Sequence, residues 1–256
     1  MLLAVDVGNT SSVIGLFDGE ALTAEWRIAT RTRTADELEV VLRGLLAARG
    51  IRTDAISAGV LSTTVPPVQA AWEAVLEHVS GVAPVTVGPG VKTGVPVRVQ
   101  NPREVGPDRI ANTAAAAATV GAPAIVVDFG TATNFDVVAE DGAFVGGSIA
   151  PGLEVSMEAL FARAARLGKV ELVAPPNAIG TATVDSLQSG AVFGFAGLVD
   201  GIVARIRAEL GVPDCPVVAT GGLAVLLAGH CASVTSVDPQ LTLTGLRLIW
   251  ERASAA

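Results

Sequence analysis

Cysteine and histidine are scarce in this chain, and charged residues make up only 16% of it. Only Cys215 and Cys231 occur among 256 residues, which argues against a disulfide scaffold and for a reducing compartment. The expected location is the cytoplasm. The two histidines, His78 and His230, stand far apart with no metal-ligand spacing, which speaks against a zinc site and a serine triad. His78, at the end of an amphipathic pattern, reads as a solvated helix-end residue. The opening MLLAV is cut off by Asp6 and the alanine run at 114–118 is short, so neither makes a signal peptide or a membrane span. A formal net charge of −8 disfavours a nucleic-acid surface and repels anionic substrates. Phosphate chemistry here therefore requires local dipoles, Arg or Lys, or bound metal. GPGVKTG at 88–94 fits neither the dinucleotide fingerprint nor the phosphate loop. GGSIA lacks the second glycine of a nucleophile elbow.

Half of the residues are hydrophobic, enough for a substantial core in one large domain or two smaller ones. LLAVDVGNT, SSVIGLFDGE and AEWRIAT read as three strands, with a hairpin signal at Asp18-Gly19. TADELEVVLRGLLAARG has helical spacing at Leu38, Val41, Leu42, Leu45 and Leu46, with Thr34 and Glu37 as a capping box. A buried strand DAISAGVLST, a helix opened by Pro66 and Pro67, and a strand APVTVG follow. The second half repeats this order. APAIVVDFGTAT, NFDVVAEDG and AFVGGSIAPG precede helices at LEVSMEALFARAARL and SLQSGAVFGFAGLVDGIVARIRAEL, the strand CPVVATGG and a final helix LTLTGLRLIWERA. The fold class is therefore α/β and internally duplicated, with lobes at residues 1–118 and 119–256. No linker or low-complexity tract separates them, so they are expected to pack tightly with a cleft between them.

Each half opens on the same acidic turn: VDVGNT at 5–10 and VDFGTAT at 127–133. A glycine after a strand lets backbone N–H groups approach a ligand and form an anion-binding concavity. Asn9, Thr10, Ser11 and Ser12 add short polar donors, and Asp6 at a strand end can hold a hydrated Mg²⁺ that bridges phosphate oxygens. A third cluster, NPREVGPDRIANTAAAAA, puts Asp108 and Arg109 at the mouth of a helix, where the positive dipole end favours anions. There Asp108 can accept the proton of a substrate hydroxyl while Arg109 offers a fork to a carboxylate or phosphate; the alternative is a helix cap with a solvated Arg109. A fourth, VVATGGLA, places Thr220-Gly221-Gly222 after a buried strand, where a flat base can lie near the backbone or the chain simply turns into a helix.

Together DVGNT, GPDR, DFGTAT, GGSIAPG, IGTATVDSLQSG and ATGG, in this order and over nearly the whole chain, resemble the type III pantothenate kinases. That family lies within the superfamily of acetate and sugar kinases, actin and the heat-shock chaperone ATPases. The resemblance implies two actin-like (ribonuclease H-like) lobes, each a mixed sheet flanked by helices with a nucleotide cleft between them, a homodimer, and ATP-dependent phosphorylation of pantothenate to 4'-phosphopantothenate, the first step of coenzyme A biosynthesis. By position it implies that Asp6, Val7, Gly8, Asn9, Thr10, Ser11, Ser12 and Val13 form the first phosphate loop, with Thr131 as a second ATP contact. It makes Asp108 the catalytic base, flanked at the substrate by Val99, Gly106, Pro107 and Arg109, with Thr183 a pantothenate contact from a neighbouring segment. It makes Asp128 a ligand of a monovalent cation, K⁺ or NH₄⁺, beside the Mg²⁺ held through water by Asp6. The chain departs from the pattern near Val99, where many relatives carry an aromatic residue and this sequence has no tyrosine anywhere; Pro107, Asn134 and Thr181 depart as well. The rivals are a same-fold kinase for another small hydroxy acid or sugar, and a nucleotide-binding regulator without catalysis.

Overall fold

Alternating apolar residues put Leu3, Val5 and Val7 of strand β1 (Leu2–Val7) on one face, leaving Ala4 and Asp6 on the other. The computed structural model describes residues 1–164 and 167–255. β1 pairs antiparallel with β2 (Ser11–Asp18), which continues through a hairpin at positive-φ Gly19 into β3 (Ala21–Ala29). Helix α1 (Ala35–Ala47) starts on the expected capping box, with Thr34 and Glu37 bonding each other's backbone. Then come β4 (Ala58–Thr63), α2 (Pro66–Ser80), which has Pro at its first turn and Gly81 in the left-handed region at its end, and β5 (Val85–Thr86). The sheet order is β3-β2-β1-β4-β5. β5 is shorter than the expected APVTVG because Pro84 and Gly88 bracket it.

These elements, α3 (Pro107–Thr119) as far as Ala115, and α7 (Leu241–Ser254) form one compact unit. Its core joins the β1 face to Leu38, Leu42 and Leu46 of α1 and to Val68, Trp72, Val75, Leu76 and Val79 of α2. The opposite sheet face is covered by α7, which packs on β1, β2 and β4. A Cβ on Gly15 of β2 would lie 2.8 Å from the Leu243 side chain, so glycine at that position makes room for the helix. The final helix, numbered from the repeat with residues 119–256, thus packs on the N-terminal sheet.

The second unit comprises Val97–Val99 and Ala116–Gln240. It contains β6 (Ala124–Phe129), β7 (Ala132–Val138), β8 (Phe144–Pro151), α4 (Leu153–Arg163), α5 (Thr183–Leu210), β9 (Val217–Thr220), the short α6 (Ala224–Leu227) and β10 (Ser236–Val237). Its order is β8-β7-β6-β9-β10, the order of the first sheet. Ile125, Val127, Phe129 and Phe135 pack against Val192, Val199 and Val203 of α5. Of the helix expected over 153–167, residues 165 and 166 lie outside the described residues. α5 begins three residues before the expected Ser186, because Gly180 packs under the helix start and the Ser186 hydroxyl donates to the Ala182 carbonyl (2.9 Å).

Candidate active site

In the first unit, β1 delivers Asp6 and Val7 into the turn Gly8-Asn9-Thr10. The Gly8 N–H closes the turn on the Ser11 carbonyl at 3.0 Å, while Asn9 and Thr10 stay exposed. Ser11 and Val13 are half-buried. Ser12 is buried, and its Oγ lies 2.9 Å from Thr30 Oγ1. Thr30 Oγ1 in turn donates to the Gly8 carbonyl (2.8 Å), so Ser12 is the donor of the pair. The Thr30 N–H also donates to the Thr10 carbonyl (3.0 Å). Ser12 and Thr30 therefore prop the turn from beneath and leave Asn9 and Thr10 exposed at its tip.

The GPDR segment lies beside this turn in the same unit. The Thr64 N–H donates to the Val7 carbonyl (3.1 Å), and a Cβ on Gly106 would stand 3.6 Å from Thr64 Cγ2. That Cβ would also stand 2.3 Å from Asp108 Oδ1. Only glycine at 106 lets the carboxylate fold back over the backbone. Pro107 opens α3, and the Arg109 N–H donates to Asp108 Oδ1 at 2.9 Å. Burial pushes the Asp108 carboxyl above the usual aspartate range, opposed by the Arg109 N–H and the guanidinium charge. Desolvation that favours the protonated form strengthens the carboxylate as a proton acceptor.

In the second unit Asp128 ends β6 as Asp6 ends β1. The Gly130 N–H closes the shorter turn Gly130-Thr131 on the Ala132 carbonyl at 3.0 Å. The Gly152 N–H donates to the Thr131 carbonyl (3.1 Å), and a Cβ on Gly152 would come within 2.3 Å of that oxygen. Gly221, at φ +91°, crosses so close to Asp128 that a Cβ there would lie 2.4 Å from Oδ1. The ATGG segment thus backs the carboxylate. Val99 is half-buried next to Gly146, held by the Arg98 N–H to the Phe144 carbonyl (2.8 Å). Thr183 is the exposed first residue of α5, whose start carries no side-chain cap and leaves its N–H groups available.

Register places a hydroxyl beside each turn aspartate: Asp6 is level with Ser62 of β4, and Asp128 with Thr220 of β9. Both hydroxyl oxygens are buried without a hydrogen-bond partner among the described residues. The donor sets are all oxygen, which suits Mg²⁺ at Asp6 and a monovalent cation at Asp128. Among the described residues no group of three or more His, Cys, Asp or Glu forms a metal cluster. A divalent ion at Asp6 would therefore need its remaining oxygens from water and phosphate.

Sequence reasoning missed Thr30, Thr64 and Ser62. The meander of β1, β2 and β3 could have placed Thr30 beside Thr10, since each hairpin signal fixes a register. Thr64 and Ser62 depend on the crossover from β1 to β4, which carries no local signal. His78 is largely exposed as expected, yet its Nδ1 pairs with Glu39 Oε2 at 2.6 Å.

A sequence model of the type III pantothenate kinases matches residues 2–205. A type III pantothenate kinase from Myxococcus xanthus is 50% identical over 257 residues, covering 100% of both chains. Among solved structures, a conserved Baf family protein from Campylobacter jejuni superimposes with a TM-score of 0.63 at 17% identity, over 99% of this chain and 100% of its own. A ROK hexokinase from Thermus thermophilus gives 0.50 at 16% identity, over 98% and 97%. At such identities the structural likeness concerns the fold, which is the duplicated actin-like one.

Proposed function

The chain belongs to the type III pantothenate kinase family, and on that premise we propose that it transfers the γ-phosphoryl group of ATP to the primary hydroxyl of pantothenate. The products are 4'-phosphopantothenate and ADP. The observation that carries this reading is the desolvated Asp108 carboxylate, folded over Gly106, which lies beside Thr64, the residue whose N–H bonds the strand that feeds the first turn. Asp108 takes the hydroxyl proton as the oxygen–phosphorus bond forms and the bond to ADP breaks. Asp6 to Val13 and Thr131 hold ATP, with backbone N–H groups of the first turn facing its phosphates. Val99, Gly106, Pro107, Arg109 and Thr183 form the pantothenate contacts, and the uncapped N–H groups at the start of α5 suit an anionic group. Phosphoryl transfer requires alignment and charge neutralisation more than covalent chemistry, which matches this residue set.

Asp6, with Ser62 beside it, would hold Mg²⁺ through water, and Asp128, with Thr220, would hold K⁺ or NH₄⁺; bound, these ions would neutralise phosphate charge. The protein works as a cytoplasmic homodimer, apart from nucleic acid and membranes. Both cysteines are free and buried, in keeping with a reducing compartment. α5 is long and apolar enough to cross a membrane, yet Ala191, Val192, Ala196, Val199 and Val203 line the core. Exposed Ile149, Val155, Leu160, Ile179 and Val184 offer apolar surface for a second copy. Light scattering at micromolar concentration is expected to give twice the chain mass, and a monomer refutes the dimer.

The deciding experiment is ADP release by purified protein with ATP, Mg²⁺ and K⁺, comparing pantothenate with sugars and acetate. Release with pantothenate alone is expected. Release with a sugar instead assigns another kinase of this fold, and no release with any acceptor assigns a regulator.

A further inference from the structure

The C-terminal helix α7 lies beyond the stretch matched by the family's sequence model and contributes none of the site residues named above. Its contacts nonetheless converge on α3 one turn below Asp108. Gly245 meets the α3 backbone directly: a Cβ there would stand 1.9 Å from the Ala111 carbonyl oxygen and 2.9 Å from Ala111 Cα. One turn earlier on α7, Thr242 Oγ1 donates to Asn112 Oδ1 at 2.7 Å, and Asn112 is wholly buried. Asp108 and Asn112 are four apart and Ala111 is three from Asp108, so all three share one helix face. On its other side α7 sets Leu243 against Gly15 of β2, the strand that leaves the first turn. The helix is thus wedged between the strand pair holding Asp6 to Val13 and the helix holding Asp108.

We propose that α7 is a positioning element for phosphoryl transfer, in which Gly245 and Thr242, acting through Ala111 and Asn112, fix Asp108 against the first turn. The proposal rests on the reading of Asp108 as the base. Glycine at 245 is required because any side chain pushes α3 away from the sheet. The Thr242 hydroxyl pins rotation and sliding of α3, which close backbone packing alone does not restrain. Misplacing a reacting group by about 1 Å from a remote site costs on the order of 10²-fold in rate.

The test uses the full chain with pantothenate and ATP, and compares Thr242→Val, Thr242→Ser and Gly245→Ala with Asp108→Asn. Thr242→Val is expected to lower kcat roughly 10- to 10²-fold with the KM for ATP nearly unchanged, and Thr242→Ser to restore kcat. In an Asp108→Asn background, Thr242→Val should lower kcat no further, because the group it positions is already gone. Equal fractional losses in both backgrounds, or a Thr242→Val enzyme with lowered Tm and unchanged kcat, make α7 a plain core helix and overturn the proposal. If Gly245→Ala does not fold, the Thr242 series decides alone. An active Asp108→Asn enzyme signals instead that the base assignment itself has failed.

Discussion

The two sheets match residue for residue. Asp6 pairs with Val13 and Ser62 in the first, and Asp128 with Asn134 and Thr220 in the second. Ala4 faces Gly15 as Val126 faces Asp136. What surrounds the repeated turn differs. In the first unit the residue after the third strand is Thr30, whose hydroxyl and N–H both prop a turn of three residues. At the same point of the second unit stands Gly152, which reaches the Thr131 carbonyl by backbone alone and leaves no room for a Cβ. Gly15 makes room for Leu243, whereas its counterpart Asp136 is a buried carboxylate. Duplication thus preserved the aspartate–hydroxyl pair and let its supports diverge. Asp108, lying in the first unit alone, makes the halves chemically unequal.

That inequality predicts its largest effect at Asp108. Asp108→Asn is expected to lower kcat by roughly 10²–10⁴, the usual contribution of a general base. Its Tm at neutral pH should equal or exceed that of the parent. A carboxyl whose folded pKa is raised binds more protons folded than unfolded, so its contribution falls as pH rises through the window from the ordinary aspartate range up to the raised value. Removing the charge removes that penalty. A variant that is stable and fully active breaks the assignment.

Next in size, Asp6→Asn should reduce turnover about 10²-fold, comparable to losing one preorganised electrostatic group. Asp128→Asn should instead chiefly blunt the difference between K⁺ or NH₄⁺ and Na⁺ or Tris. Measuring both variants in the four buffers checks this. Identical profiles would mean that the turns do the same work, and equal parent rates in all four would remove the monovalent cation.

Thr30→Val is expected to cost about 1–3 kcal/mol in chemical denaturation, because the Gly8 carbonyl and Ser12 hydroxyl lose a buried partner. Unchanged stability would show that the first turn, like the second, stands on backbone bonds.

The smallest effect lies at the edge of the second unit, where Asp200 accepts from the Ala232 and Ser233 N–H groups and from Ser233 Oγ. Burial pushes its carboxyl up, but these bonds and the Arg207 charge hold it below the usual range. A lowered carboxyl stabilises above its unfolded pKa and loses that contribution as pH falls through the folded one. Asp200→Ala should therefore cost roughly 1 kcal/mol near neutrality, and the difference from the parent should vanish in acid. A gap that persists at low pH would trace the loss to packing.

The order of elements along the chain, the duplicated turns and the capping box at Thr34 and Glu37 were legible because each rests on neighbours within a few residues. Alternation selects strands, Asp-x-Gly ends them, and a side chain three positions on caps a helix. GPDR at a helix mouth was legible for the same reason, since Pro107 opens α3 as composition expects. The short β10 and α6 escaped notice, having too few residues to show a period.

By itself, then, the sequence determined an α/β chain that builds one acidic turn twice and opens a helix at Asp108, because hydrophobic period and turn chemistry act locally. Tertiary structure alone decided that Ser62 and Thr220 flank the two aspartates and that α7 returns across more than a hundred residues to grip α3. Those contacts arise from strand crossovers and from backbones that approach only where Gly15 and Gly245 leave space, and a glycine does not announce in sequence which partner will fill it.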